Sequence, residues 1–545
     1  MSERAARLSA ARFFSPAAVA ASVADADSFY YHAAQQGDLM VKDRWIAKVV
    51  ILGGGTAGWM TAAALSHTFG QAVEIVLLES DTIGTVGVGE ATIPPIRTFH
   101  QMIGIDEAEF IRATGATFKL GIEFRGWLNK SSTYFHPFGA YGVEREIGYF
   151  FQYWLRLREK GQVSDFSEFS LCTLAARSNV FAPASERPGD PLQHLQSAYH
   201  FDASRYVKYL KGLCIARGVS HKIGDMLTAE RDSQNGHITG LKLKSGELIS
   251  GDLFIDCSGL RAMLLGQELG VEYEDWSRWL PMNRSCAVPC EQKLALTPYT
   301  ISTAKPFGWQ WRIPLQHRVG NGVVYSSEIT TDDAAERCLL EGLEGEPLAP
   351  INRIKFTAGR RKTPWYKNVV SIGLASGFLE PLESTSIQFI QSSVQRLIRY
   401  FPDSGFSPVC AQAFNKDTIR EVENVRDFLI LHYHATERDD SELWRYVKAM
   451  QVPDSLQERI ELFRERGQLN LAAEELFQST SWHAVLLGQG IRPRTYMPTM
   501  ALQDDAVLAN AYSNLERNFK KIVARLSDHS AYIKEKKLTS IMESR

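Results

Sequence analysis

The chain has 545 residues, 45% of them hydrophobic and 22% charged, which is ample material for a large buried core. Lys+Arg number 60 against 62 Asp+Glu, and no basic stripe interleaves with aromatics, so nucleic acid is not an expected partner. Seven scattered cysteines, with Cys286 and Cys290 the closest pair, offer neither a disulfide framework nor a zinc site. They point to a reduced, cytoplasmic setting and no metal.

No run of about 18 apolar residues is present, so no membrane helix is expected. The opening "MSERAARLSAARFFSPAAVAASVADADS" carries Arg4, Arg7 and Arg12, then an Ala-rich stretch too weak for a signal-peptide core. Met40 precedes "VKDRWIAKVVILGGG", which reads as a natural start. Residues 1–39 are expected to be a disordered extension or an over-called start, with the first boundary at residue 44.

A βαβ unit follows. "WIAKVVIL" (Trp45 to Leu52) reads as a buried parallel strand, and "GGGTAGWMTAAALSHTFG" as a glycine turn entering an Ala-rich helix. "AVEIVLL" (Ala72 to Leu78) is the next strand, ending in Glu79. Gly53-x-Gly55-x-x-Gly58 is a dinucleotide fingerprint, with Thr56 and Ala57 at the helix entry. The glycines allow a tight turn and close approach to a pyrophosphate, and the helix N-terminus favours the phosphates. Glu79 can accept hydrogen bonds from ribose hydroxyls. A ligand-free glycine turn is the bland alternative; strand, turn, helix and acid in register argue against it.

The loop "DTIGTVGVGEATIPPI" places Gly84, Gly87 and Gly89 together. "GDLFIDCSGL" (Gly251 to Leu260) is a second buried strand running into a small-residue turn, which favours FAD over NAD. With no second fingerprint, reducing equivalents come from outside. "GWQWRIP" (Gly308 to Pro314) reads as a short strand with Trp309 and Trp311 on one face. "VGNG" (Val319 to Gly322) reads as the turn of a hairpin returning through "VVYSS". Val369 to Phe401 reads as strand, loop and helix. The last quarter is mainly helical, with Leu515, Phe519, Ile522 and Leu526 as a packed face. The expected fold is α/β: an FAD-binding Rossmann-type, flavin monooxygenase-like core at 45–410 with β-rich insertions. A mainly helical C-terminal substrate subdomain is expected at 411–545.

"GGGTAGWM" with Trp59, "VGVGEATIP", "GWQWRIP" and "GFLEPLEST" (Gly377 to Thr385) together resemble the flavin-dependent tryptophan halogenase family. The resemblance runs from about Ile46 over most of the chain, and "AYHFDASRYVKYL", "DLFIDCSGLR" and "HYHATERDDSELW" also look like family segments. It implies that FADH2 and O2 oxidise chloride or bromide to hypohalous acid, which travels a tunnel to an aromatic substrate. It also implies a separate flavin reductase as the source of FADH2.

The resemblance assigns roles residue by residue. Lys119, in "ATFKLGIEF", matches the essential lysine, which can polarise hypohalous acid or form a haloamine. Glu383 matches the carboxylate that stabilises the cationic arene and removes its proton. A glutamate there equally suits a helix N-terminus. Thr385 and Ser386 match the positions whose N–H groups hold the halide. His136, in "YFHPFG", and Trp482 match residues that flank the substrate ring, although His136 is equally read as a structural histidine. Trp309 and Trp311 become a wall between flavin and substrate that only a small diffusing oxidant can pass.

One stretch departs from the pattern. "EELFQSTSWHAVLLGQGIRP" is shorter than the tyrosine- and acid-rich segment with which tryptophan-specific members hold the amino-acid backbone. Free tryptophan, bare indole and another electron-rich arene therefore stay open, as do chloride against bromide and a homodimer. The competing readings are a flavin-dependent aromatic hydroxylase on the same fold and a flavoprotein without this chemistry; Lys119, Glu383 and the paired tryptophans favour the halogenase.

Overall fold

The computed structural model describes residues 45–81, 90–142 and 149–540. The N-terminal extension and Gly84, Gly87 and Gly89 lie outside the described residues. The chain divides into two compact units. One holds residues 1–46 with Pro402–Gly405, and within it Trp45 bridges to Asp403. The other holds Ala47–Phe401 and Phe406–Arg545 and contains everything that follows.

The nucleotide-type unit forms as its sequence dictates. β1 (Lys48–Leu52), rich in β-branched residues and buried after Lys48, runs into α1 (Thr56–Phe69) and then β2 (Glu74–Glu79). β1 and β2 pair in parallel, so the connection crosses over through α1. They lie central in a six-stranded sheet ordered 365–366, 369–371, 253–256, β1, β2 and 220–223, parallel except for the first pair. Nine residues of α1 are buried, which explains a helix apolar nearly all round.

The β-rich insertion is a seven-stranded sheet ordered 352–355, 284–290, 319–325, 308–314, 300–305, 121–125 and 133–137. Its centre corrects the hairpin expectation. Gly308–Pro314 pairs antiparallel with Val319–Tyr325 over their full length, from Gly308 opposite Tyr325 to Pro314 opposite Val319. The turn is Leu315 to Arg318, closed by Leu315 N–H donating to the Arg318 carbonyl at 2.9 Å. "VGNG" is therefore strand. Gly322 stands opposite Trp311, and a Cβ there would overlap the indole ring. The glycine makes room for a tryptophan rather than bending the chain.

A small antiparallel sheet joins Glu90–Ala91, Ala198–Phe201 and Thr117–Lys119. Lys119 ends the last of these, one residue before Gly121–Arg125 enters the large sheet. The helix Pro408–His434 runs across residues 410 and 411, the expected boundary between core and C-terminal subdomain. Its buried Val425, Phe428, Leu429 and Tyr433 share one hydrophobic cluster with Trp309, Trp311 and Trp482. Helix Asp505–Val523 ends before Leu526, and its buried residues are Tyr512, Phe519 and Val523. Of the expected face Leu515, Phe519, Ile522 and Leu526, only Phe519 is fully buried; the other three are half-buried, and Leu526 lies beyond the helix.

Candidate active site

The fingerprint turn has the shape a dinucleotide needs. Gly53 adopts φ 120°, and a Cβ there would strike the Cys257 carbonyl. Its N–H donates to the Leu78 carbonyl at 2.8 Å, which ties the turn to β2. Gly58 packs directly on Gly53, whereas Gly55 faces open space at the entry of α1. α1 has no side-chain cap, so its first-turn N–H groups have no intrahelical acceptor to satisfy them. Thr56 and Ala57 carry two of those groups. A diphosphate fits there on charge and on space.

Glu79 ends β2 against this turn, where it meets Lys211 Nζ at 3.0 Å and His221 Nε2 at 2.8 Å. The second small-residue turn is organised by Asp256. One carboxylate oxygen accepts from Ser258 N and Oγ (3.1 and 2.6 Å), the other from Leu264 N and Leu265 N (2.9 and 2.8 Å).

The structure brings Lys119 and Glu383 into one buried neighbourhood, 264 positions apart in sequence. Lys119 has no exposure; Nζ donates to the Thr92 carbonyl at 3.0 Å and to Ser384 Oγ at 2.7 Å. Its amine lies 5.0 Å from the centre of the Phe138 ring. Burial lowers its pKa to about 7, although the Glu383 charge pulls the other way. Ser384 holds its hydroxyl in place from a left-handed conformation, φ 59°, which a non-glycine residue adopts only where its surroundings enforce it.

Glu383, also without exposure, ends the short turn Pro381–Glu383. His136 Nδ1 lies 3.0 and 2.8 Å from its two oxygens, and His432 Nε2 lies 2.7 Å from Oε1. The His432 contact is at ion-pair distance but lacks hydrogen-bond alignment. Burial raises the carboxyl pKa, yet the two imidazoles outweigh it and bring it down to about 2. His432 was not found by sequence reasoning, although it lies in "HYHATERDDSELW".

Thr385 and Ser386 open the 14-residue helix Ser386–Arg399. The Thr385 hydroxyl is buried without a partner, beside a helix N-terminus rich in unsatisfied N–H groups. Ser386 lines a cavity with Ser384, Pro381, Leu382, Trp309, Trp311 and Ser302. Trp309 and Trp311 are both buried there, with ring centres 5.8 Å apart and planes tilted by 54°. The two indoles thus form one wall of the cavity that reaches Ser384 and Ser386.

His136 and Trp482 both pack against Phe428. The rings flanking His136 are Phe428 at 5.7 Å and Phe477 at 6.0 Å. Trp482 meets Phe428 edge-on at 5.0 Å, carries the Arg459 guanidinium over its ring at 4.4 Å, and donates from Nε1 to the Phe477 carbonyl. Phe428 and Phe477 stack at 4.1 Å and were not anticipated. Phe477 lies in the quoted "EELFQSTSW" segment and could have been found by its nearness to Trp482.

Among the described residues no helix is long and apolar enough to cross a membrane. The chain thus joins a glycine-rich strand–turn–helix unit to a buried lysine and carboxylate and to a cavity walled by two tryptophans. The tryptophan halogenase family profile matches residues 48–505, and the chain belongs to that family. It is 36% identical over 520 residues to tryptophan 6-halogenase SttH of Streptomyces toxytricini, covering 89% of this chain and 97% of that one. It is similar in structure to Xcc4156, a flavin-dependent halogenase from Xanthomonas campestris: 43% identity, TM-score 0.88, 92% and 100% coverage. It also resembles BrvH, a flavin-dependent halogenase from Brevundimonas sp. BAL3: 41% identity, TM-score 0.86, 90% and 99% coverage. The protein is an enzyme, a flavin-dependent halogenase that uses FADH2, O2 and a halide. A separate flavin reductase and an aromatic substrate complete the reaction.

Proposed function

We propose that this enzyme chlorinates or brominates an indole-type substrate, tryptophan or indole, with hypohalous acid guided to Lys119 and Glu383 acting on the arene. The observation that carries this is the pairing of a buried amine with a buried carboxylate across Ser384. Gly53, Gly55, Thr56, Ala57, Gly58 and Glu79 would hold the flavin, which as FADH2 would supply two electrons to O2, the oxidant that converts the halide to hypohalous acid. Thr385 and Ser386 hold the halide at the helix N-terminus. Trp309 and Trp311 keep the substrate away from the cofactor, so oxygen is not delivered directly.

At the far end, Lys119 has two acceptors already taken and presents its remaining valence to the oxidant. Glu383, ionised at every ordinary pH, offsets the positive charge on the attacked ring and takes its proton. His136, bonded to Glu383, and Trp482 flank the substrate ring, with the stacked Phe428 and Phe477 rings packed against them. The named activity of the SttH relative supports tryptophan, and the short segment before Trp482 supports the smaller indole.

The test is incubation with FAD, a flavin reductase, NADH, and bromide or chloride, offering indole and tryptophan together, followed by mass spectrometry. Halide-dependent halogenated product is expected. Halide-independent addition of oxygen to the substrate would sink this reading and favour a hydroxylase.

A further inference from the structure

Glu380 is a buried carboxylate that the chemistry above does not use. It is 1% exposed, three residues before Glu383. Its Oε2 accepts from Trp309 Nε1 at 2.6 Å and from Tyr433 OH at 2.6 Å. Its Oε1 has no partner. Burial pushes its carboxyl up to about 7, with the Tyr433 and Trp309 donors holding it down.

The three residues come from three elements. Trp309 lies on the strand Gly308–Pro314 and walls the cavity. Glu380 precedes the turn Pro381–Glu383, which ends in the candidate base. Tyr433 follows His432, the imidazole at 2.7 Å from Glu383, on the helix Pro408–His434. Trp127 and Trp444 pack around Tyr433 with ring centres 5.3 and 6.1 Å away, so a charge-assisted acceptor is placed deep among aromatic rings. A carboxylate is expensive in such surroundings unless its bonds are made. One with a free oxygen is retained at a stability cost.

We infer that Glu380 is a positioning residue: one of its oxygens locks the Trp309 indole, the Glu383 turn and the His432 segment in register. The gap between wall and base, and hence where the oxidant meets the ring, is set by this shared acceptor. This inference rests on the proposed roles of Trp309 and Glu383. It predicts that losing the acceptor misdirects the oxidant rather than weakening cofactor binding.

The experiment is a single turnover of the full-length protein in excess over anaerobically reduced FAD, mixed with O2, bromide and indole or tryptophan. It reads halogenated product per flavin and the ratio of ring isomers. Glu380→Leu, similar in size but without an acceptor, is expected to lower yield per flavin about fivefold or more and to change the isomer ratio, with the FAD dissociation constant unchanged. Glu380→Gln, which keeps an acceptor oxygen, is expected to recover at least half the yield and the original ratio. Tyr433→Phe, which removes one donor, should fall between.

Unchanged yield and ratio in Glu380→Leu would overturn the inference, and so would a loss that Gln does not recover. Should Glu380→Leu fail to fold, Tyr433→Phe and Trp309→Phe carry the test: each must shift the isomer ratio, and no shift in either overturns it. Absence of halogenated product from the wild-type enzyme would instead count against the proposed function.

Discussion

His432 holds Nε2 at 2.7 Å from Glu383 Oε1 while its Nδ1 lies 2.8 Å from the Phe428 carbonyl oxygen. A carbonyl only accepts, so Nδ1 carries a proton. His136 and His432 together outweigh burial and bring the Glu383 carboxyl down to about 2. Glu383 is therefore a carboxylate clamped between two rings, a base kept ionised by its neighbours.

Replacing His432 with Leu removes one of the two imidazoles that hold the carboxyl down. The Glu383 carboxyl should then rise, and the acid limb of the halogenation rate should move to higher pH, with about a tenfold loss of rate near neutrality. A depressed carboxyl contributes stability above its unfolded value of 4.5 and loses it as pH falls toward 2. In His432→Leu the folded value moves back toward 4.5, so this contribution should be smaller and stability should fall less steeply as pH drops from 4.5 toward 2. An unshifted acid limb would leave His432 without this role.

Glu383→Gln keeps the size and removes the base. Product formation should slow by about 10²-fold or more while FAD binding is retained, as read by single-turnover yield against flavin fluorescence. An unchanged rate would leave Glu383 as a structural carboxylate at the turn.

Lys119→Met should abolish product and leave reoxidation of bound flavin intact. It should also stabilise the protein. Burial lowers the folded pKa to about 7 against 10.5 for an unperturbed lysine, so the unfolded chain binds more protons between those values. The burden of the buried ammonium is complete below about pH 7 and lifts as pH rises to 10.5. Lys119→Met should thus be more stable by on the order of 1–3 kcal/mol near pH 7, the gap closing toward pH 10. Paired thermal unfolding curves across that range measure it. In the wild type the two N–H donors of a neutral amine already match Thr92 and Ser384, which leaves its lone pair free. Halogenation should therefore increase as pH rises through about 7; a decrease would assign the ammonium form instead.

The nucleotide half was legible because its signals are local. β1, the glycine turn, α1 and Glu79 follow each other within about thirty residues, and strand and helix periods name themselves. The centre was legible only through resemblance. Lys119 and Ser384 meet across 265 residues, and nothing in either segment announces the other. Phe428 and His432, in a largely buried helix, and Glu380 and Phe477, in the segments before a short helical turn and a helix, escaped because a buried acid or ring there looks like any core residue. The "VGNG" misreading has a physical cause as well. Glycine marks both turns and places where a large ring lies on the backbone, and only the strand opposite tells them apart.

Glu79 offers a direct check of the nucleotide reading. It touches Lys211 and His221 already, so its carboxylate is held at the end of β2. Glu79→Ala should weaken FAD binding by about tenfold, by analogy with the loss of a charge-assisted hydrogen bond to a ribose hydroxyl. Flavin fluorescence titration measures it, and unchanged affinity would place the ribose elsewhere.

The tryptophan wall gives the last prediction. Trp309 and Trp311 stand side by side, but only Trp309 has a partner for its N–H; Trp311 Nε1 is buried without one. Their shared role is bulk, so replacing both with Phe should leave halogenation running at a reduced rate, with more oxidant lost per turnover. The support for Trp311 is the bare backbone of Gly322. Gly322→Val would force the indole aside, since β-branched carbon has no space between the ring and the Cys286 carbonyl. Overpacking of this kind costs about 1–3 kcal/mol. Denaturant unfolding should register that loss, and product per flavin should fall with it. A Gly322→Val protein with wild-type stability would mean that Trp311 is free to swing, and a wall that swings cannot keep flavin and substrate apart.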